Sequence, residues 1–235
     1  MNRRIGFSTG ALAYAEFDRA LRMLRSRPVS AVELSALRQP ELLPLLQSLD
    51  CLDLSQFTYV AVHAPSYIEP STEANVVQSL MQIAERKWPI VLHPDAIHDY
   101  ALWNRLGTSL LVENMDKRKP VGRTADELDP VFQNLPQAGL CFDIGHARQV
   151  DSTMTEAYLI LRRFGDRLRQ LHVSEVNTRS THDPLSYASV LAFKQVAELI
   201  PEDVPLILET PVGEDQIESE MELARGALPL LVCSS

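Results

Sequence analysis

Eight short β-rich runs alternate with eight segments of helical periodicity along the chain, and this alternation restricts the fold more than any single motif does. Strands joined by helix-length connections pair in parallel, because the helix carries the chain back to the end of the sheet where the previous strand began. The runs are RIGFS from Arg4, SAVELS from Ser30, TYVAVH from Thr58, PIVLH from Pro89, SLLVEN from Ser109, GLCFD from Gly139, RQLHV from Arg169 and PLILET from Pro205. Apolar residues three and four apart predict helices over 15–27, 39–48, 72–87, 95–106, 124–134, 152–164, 187–199 and 214–225. Ser71 with Thr72, and Thr124 with Glu127 three residues on, read as helix starts. The expectation is an α/β chain folded as a single (β/α)8 TIM barrel over residues 1–235, since no linker or internal repeat marks a second domain.

Composition supports one large core and narrows the setting. Apolar residues make up 46% of the chain, and the formal net charge of -9 disfavours a surface that tracks nucleic-acid phosphates. Cys51, Cys141 and Cys233 show no paired spacing, which suits a reducing compartment without disulfides. The start, MNRRIGFSTG, lacks the apolar run of a signal peptide, and no stretch is long enough to span a bilayer. A cytoplasmic protein with no membrane partner is therefore expected. Nicotinamide chemistry lacks a G-x-G-x-x-G after a strand, and Schiff-base chemistry lacks a lysine at a strand end.

The chemistry is concentrated where strands end. Six of the eight runs finish, or nearly finish, on His63, His93, Glu113, Asp143, His172 or Glu209. In a β/α barrel the carboxyl ends of the strands surround one mouth, so these side chains converge although they are distant in sequence. Strand parity agrees. Counting back by twos gives Ala61, Val91, Leu111, Cys141, Gln170 and Ile207 on the inner face, whereas Val62, Leu92, Val112, Phe142, Leu171 and Leu208 form a uniformly apolar outer face for the helices.

Glu113, Asp143, His172 and Glu209 end the fifth to eighth runs and form the expected core metal site. Three carboxylates and an imidazole suit Zn²⁺, Mn²⁺, Mg²⁺ or Co²⁺. With Glu113 bridging, His63 and His93 are candidates for a second ion, or else they orient substrate as neutral imidazoles. His146, three residues after Asp143 in FDIGHA, is a ligand or a substrate contact, with Gly145 permitting a tight turn. His182 and Asp183 are weaker candidates in the STHDPLS loop, and His98 reads as helical surface. Lys117 and Lys119 follow Glu113 in a loop where they meet a phosphate or only solvent. Glu175 and Arg179 are substrate contacts or a surface ion pair.

The ordered segments HAPS, LHPD, VENM, FDIGHA, LHVSEV, THDPLS and ETPV resemble the xylose isomerase-like TIM barrels, the superfamily shared by sugar isomerases and epimerases and by endonuclease IV. The resemblance covers nearly the whole chain. In the epimerase branch it implies one divalent cation on Glu113, Asp143, His172 and Glu209, with Glu113 and Glu209 as the catalytic proton carriers. In the endonuclease IV branch it implies one zinc on His63, His93 and Glu113, another on the core four, and a third on His146 with an Asp-x-His pair. That pair here reads Ser180-Thr181-His182, so the acid is missing, and Asp183 stands on the other side of the histidine. The expectation is a metal-dependent isomerase or epimerase acting on a small sugar or sugar-like polyhydroxy carbonyl compound. The alternatives are a multinuclear zinc phosphodiesterase, lyase or other hydrolase chemistry on a similar small substrate, and a non-catalytic metal- or partner-binding barrel.

Overall fold

The computed structural model describes residues 3–229, and Cys233 lies outside them. Its strands are β1 (Ile5–Ser8), β2 (Ala31–Ser35), β3 (Tyr59–His63), β4 (Ile90–Leu92), β5 (Leu110–Glu113), β6 (Gly139–Asp143), β7 (Leu168–Val173), β8 (Glu175–Val176), β9 (His182–Asp183) and β10 (Leu206–Leu208). Eight of them close a barrel in the order β1-β10-β7-β6-β5-β4-β3-β2. Every pairing within the ring is parallel. The expected (β/α)8 barrel is thus present, with strand boundaries shifted by a residue or two.

Strand register sorts the side chains as parity requires. Val62, Leu92, Val112, Phe142, Leu171 and Leu208 enter the main apolar cluster with the helices, whereas Val91, Leu111 and Cys141 form a separate cluster inside the ring. Slipping one strand by a residue would exchange these faces and press His and Glu against the helices. One ring position tolerates no side chain. A Cβ on Gly6 would lie 1.6 Å from the carbonyl oxygen of Ala31 on the neighbouring strand.

The helices are α1 (Thr9–Ala13), α2 (Phe17–Leu24), α3 (Gln39–Ser48), α4 (Glu73–Glu85), α5 (Tyr100–Trp103), α6 (Ala125–Asn134), α7 (Ile144–Val150), α8 (Thr155–Phe164), α9 (Tyr187–Lys194) and α10 (Ile217–Ala227). Thr124 caps α6 as expected, accepting from the Glu127 amide at 3.2 Å. Thr72 does not cap α4, because its hydroxyl donates backwards to the Glu69 carbonyl at 2.9 Å. The helix expected over 95–106 shrinks to α5. Asp99 caps it by accepting from Ala101 N at 2.9 Å, and Gly107 with φ +55° breaks the turn beyond it. His98 therefore precedes the helix, on the surface, with its ring bonded to the Ile68 carbonyl at 2.8 Å. The short helices α1 and α7 and the antiparallel β8–β9 hairpin have no counterpart in the apolar pattern.

Phe142 is fully buried on the outer face one residue before Asp143. Phe142→Ala is expected to lower unfolding free energy by about 3–5 kcal/mol. Urea denaturation of the variant measures this, and a loss below about 1 kcal/mol would contradict the packing described.

Candidate metal centre

Each candidate ligand is placed by the end of a ring strand. His63 and Glu113 are the last residues of β3 and β5, and Asp143 is the last of β6. His172 is the penultimate residue of β7, and His93 and Glu209 follow β4 and β10 directly. Ligand atoms of Glu113, Asp143, His172 and Glu209 all lie within 4.8 Å of one another, and so do those of His63, His93 and Glu113. Glu113 belongs to both groups.

Its two oxygens divide the work. Glu113 Oε2 is 3.2 Å from Nε2 of His63 and 3.2 Å from Nε2 of His93, while Oε1 is 3.2 Å from His172 Nδ1. The His63 ring is already committed at its other nitrogen, where Nδ1 donates to the Ala64 carbonyl at 2.7 Å. A neutral His63 therefore turns a lone pair towards a carboxylate oxygen, and only a proton or a cation reconciles the two. Asp143 has a similar vacancy. Its Oδ1 accepts from His146 N at 2.6 Å at the start of α7, but the buried Oδ2 has no hydrogen-bond partner. Asn114 fixes this carboxylate's backbone reciprocally, accepting from Asp143 N and donating to its carbonyl, both at 2.8 Å. These residues fit a divalent cation: they offer oxygen and imidazole donors, enclosed and unsatisfied among themselves.

Proton affinities follow the same crowding. Burial raises Asp143 to about 6 and Glu209 to about 7, with the Glu113 charge adding to it, against the pull of His146 and His172 respectively. Burial acts to raise Glu113 too, but the charges of His172 and His93 outweigh it and hold Glu113 well below the carboxylate range. For His63, burial opposes protonation. The Glu113 hydrogen bond and the Glu33 charge overcome it and raise the group to about 9.

Above the ligands opens a cavity of about 410 Å³, lined by His63, His93, Glu113, His146, His182 and Glu209 together with Ser8, Gly10, Ala11, Tyr14, Leu37, Ser66, Met115, Asp116, Arg118, Lys119, Ser180, Thr181 and Pro211. Of the two loop lysines only Lys119 borders it, paired with Asp95 at 2.8 Å, and Lys117 is exposed. The roof is the β8–β9 hairpin. Arg118 donates to the Ser180 carbonyl at 2.6 Å, and Gln149 Nε2 donates to the Asn177 carbonyl and to Ser180 Oγ, both at 2.7 Å.

Several expected contacts fall elsewhere. Glu175 bonds to Arg148 at 3.3 Å and to Ser186 N at 3.1 Å rather than to Arg179, which is exposed at the hairpin tip; neither lines the cavity. His146 and His182 do approach, with ring centroids 5.3 Å apart, but they gather no third ligand among the described residues. Asp183 is held by Asn177 Nδ2 at 2.8 Å, and His182 Nδ1 lies 2.7 Å from Ser174 Oγ. Gly145 is required for space and not for its torsion angle: a Cβ there would meet the Ser174 carbonyl oxygen at 2.5 Å. Strand ends alone do not reveal two further acids buried near the cluster, Glu33 on β2 and Asp116 after β5. Glu33 was recoverable by parity, since it stands two residues before Ser35 on the face that carries His63 and Ala61.

A closed ring of eight parallel strands with its polar cluster at the strands' carboxyl ends defines the TIM barrel class. The chain belongs to the xylose isomerase-like TIM barrel family, whose profile matches residues 58–227. Among solved structures it is similar to endonuclease IV from Thermus thermophilus, with 18% identity and a TM-score of 0.60 over 96% of this chain and 98% of that one. A xylose isomerase domain containing protein from Salmonella typhimurium aligns with 14% identity and a TM-score of 0.61 over 98% and 100%. A xylose isomerase-like TIM barrel protein from Mycobacterium smegmatis, solved in complex with magnesium, aligns with 12% identity and a TM-score of 0.59 over 96% and 98%. At these identities the likeness is one of fold. No curated protein matches the sequence, and no described helix is long and apolar enough to cross a membrane.

The raised groups give a signed pH dependence. His63 keeps its proton up to about pH 9 in the folded chain against an ordinary value of 6.5, so it stabilises the fold fully below 6.5 and loses that contribution as pH rises towards 9. Glu209, raised to about 7 from 4.5, also holds its proton more tightly in the folded state, so its contribution has the same sign at lower pH. The metal-free protein is expected to melt at progressively lower temperature from pH 6.5 to 9, and saturating divalent cation to flatten that slope. Thermal scans with chelator and with metal test it; identical slopes would contradict the assignment.

Proposed function

We propose that the protein is a divalent-metal-dependent isomerase or epimerase acting on a small sugar-like polyhydroxy carbonyl compound. The observation that carries this reading is the convergence of Glu113, Asp143, His172 and Glu209 beneath a cavity whose volume falls in the range of small-molecule sites. The four residues would hold the cation, and it supplies a charge that polarises a carbonyl and acidifies the adjacent C–H. Glu209 borders the cavity with a proton affinity near neutrality, which suits a group that takes a proton from carbon and returns one. Glu113, whose carboxylate also borders the cavity, is the second proton carrier in this reading. His146 and His182, at the cavity wall, would meet substrate hydroxyls, with His182 kept neutral by burial and by the neighbouring His146.

A second reading rests on the other ligand group. His63, His93 and Glu113 would complete a dinuclear centre with Glu113 as the bridge, an arrangement suited to phosphodiester hydrolysis. The net charge of -9 and the unformed third group weigh against it.

Metal content separates the two readings, with one ion per chain expected for the isomerase and two or more for the hydrolase. Incubation of the metal-loaded protein with aldoses, ketoses and their acids in D₂O is expected to introduce deuterium beside a carbonyl, seen by NMR. Glu209→Gln is expected to slow that exchange by about 10²- to 10⁴-fold. Cleavage of an abasic-site duplex by the zinc-loaded protein, with no exchange into any carbonyl compound, would overturn the isomerase reading in favour of the hydrolase.

A further inference from the structure

Below the candidate metal centre, inside the ring, lies an acid that belongs to neither ligand group. Glu33 is fully buried on β2, and its Oε2 lies 2.9 Å from His172 Nε2 and 2.6 Å from the amide Nε2 of Gln170. On the opposite side of the same imidazole, Nδ1 is 3.2 Å from Glu113 Oε1 and 3.4 Å from Glu209 Oε2. A neutral imidazole carries one ring proton, and the nitrogen that binds a cation is the one without it. Facing Glu33, the proton belongs on Nε2. Nδ1 then presents its lone pair to the space among Glu113, Asp143 and Glu209.

The neighbours of Glu33 are themselves fixed. The Gln170 amide nitrogen also lies 2.9 Å from His172 Nε2, a contact that is a hydrogen bond only if Nε2 carries no proton; in the Nε2–H form both donors share Glu33 Oε2 as acceptor. Gln170 Oε1 in turn accepts from the Tyr59 hydroxyl at 2.7 Å. A flipped amide would set a carbonyl against the carboxylate and leave the phenol without its acceptor. Tyr59 thus orients Gln170, and Gln170 orients Glu33.

We propose that Glu33 is a positioning residue of the metal centre, holding His172 in the Nε2–H form so that Nδ1 is aimed at the cation, with Gln170 and Tyr59 fixing Glu33 in turn. This assignment rests on the metal reading above. It also gives a role to a carboxylate that costs desolvation free energy inside a barrel where an apolar residue would pack.

Glu33→Gln keeps the shape, but its amide can donate to His172 Nε2 and so favours the proton on Nδ1, where it blocks ligation. Zinc affinity of the full-length protein, measured by chelator competition, is expected to fall about 10- to 100-fold in this variant. In the unmutated zinc-loaded protein, long-range ¹H–¹⁵N spectra are expected to show His172 protonated at Nε2 and ligated through Nδ1. Equal zinc affinity in the two proteins would overturn the assignment. So would ligation of His172 through Nε2, a result that needs no variant and decides the matter even if Glu33→Gln does not fold. Failure of the unmutated protein to bind any divalent cation would instead overturn the metal reading, and this assignment with it.

Discussion

Ring closure is the constraint from which the rest of the structure follows. β1 and β10, formed by residues about two hundred positions apart, pair in parallel through Ile5↔Leu206, Gly6↔Ile207 and Phe7↔Leu208. That pairing removes both sheet edges and fixes the tilt and stagger of every other strand. On its other side β1 approaches β2 so closely that Gly6 has no room for a Cβ beside the Ala31 carbonyl. Once the ring is closed, two neighbouring strands can slide only by turning their apolar outer face inward. The ligand positions are therefore held by the hydrophobic effect acting on Val62, Leu92, Val112, Phe142, Leu171 and Leu208.

Against that rigid scaffold the interior is electrostatically uneasy. Glu33, Glu113 and Asp143 are enclosed, Glu209 is nearly so, and His63, His146 and His172 stand among them. Groups so placed either share protons or share a cation, because isolated ionised carboxylates do not persist in a low dielectric. The directions of their shifts express this. Glu113, surrounded by imidazoles, stays ionised, while Asp143 and Glu209 retain protons unusually well. Such an arrangement weakens the fold and is retained at sites where charge is put to use.

The sequence made the ring legible because both of its signals are strong in most strands: a uniformly apolar outer face, and His, Asp or Glu at the carboxyl end. The same habit of reading strand ends overlooked Glu33, since β2 finishes on Ser35 and its acid sits one layer deeper. Helices were legible where an amphipathic stripe was long, as in α4 and α6. They were not in α1 and α7, which span five and seven residues and carry no period. The stretch 95–106 has helical spacing, but Asp99 starts a new helix within it and Gly107 breaks the turn just beyond it, and these local backbone preferences prevail over the apolar pattern. The β8–β9 hairpin was illegible for another reason. Apart from Val176 its residues are polar, and it is held by Arg118 and Gln149 from segments distant in the chain.

That hairpin divides the site into parts with different histories available to them. The floor is made of strand ends fixed by the register of the barrel, whereas the roof is a pair of two-residue strands tied down by side-chain hydrogen bonds from Arg118, Gln149 and Arg148. Changes in the roof can alter the shape and polarity of the cavity and leave the ligand cluster below untouched. A scaffold arranged in this way separates the residues that shape the cavity from the buried His, Asp and Glu cluster beneath it.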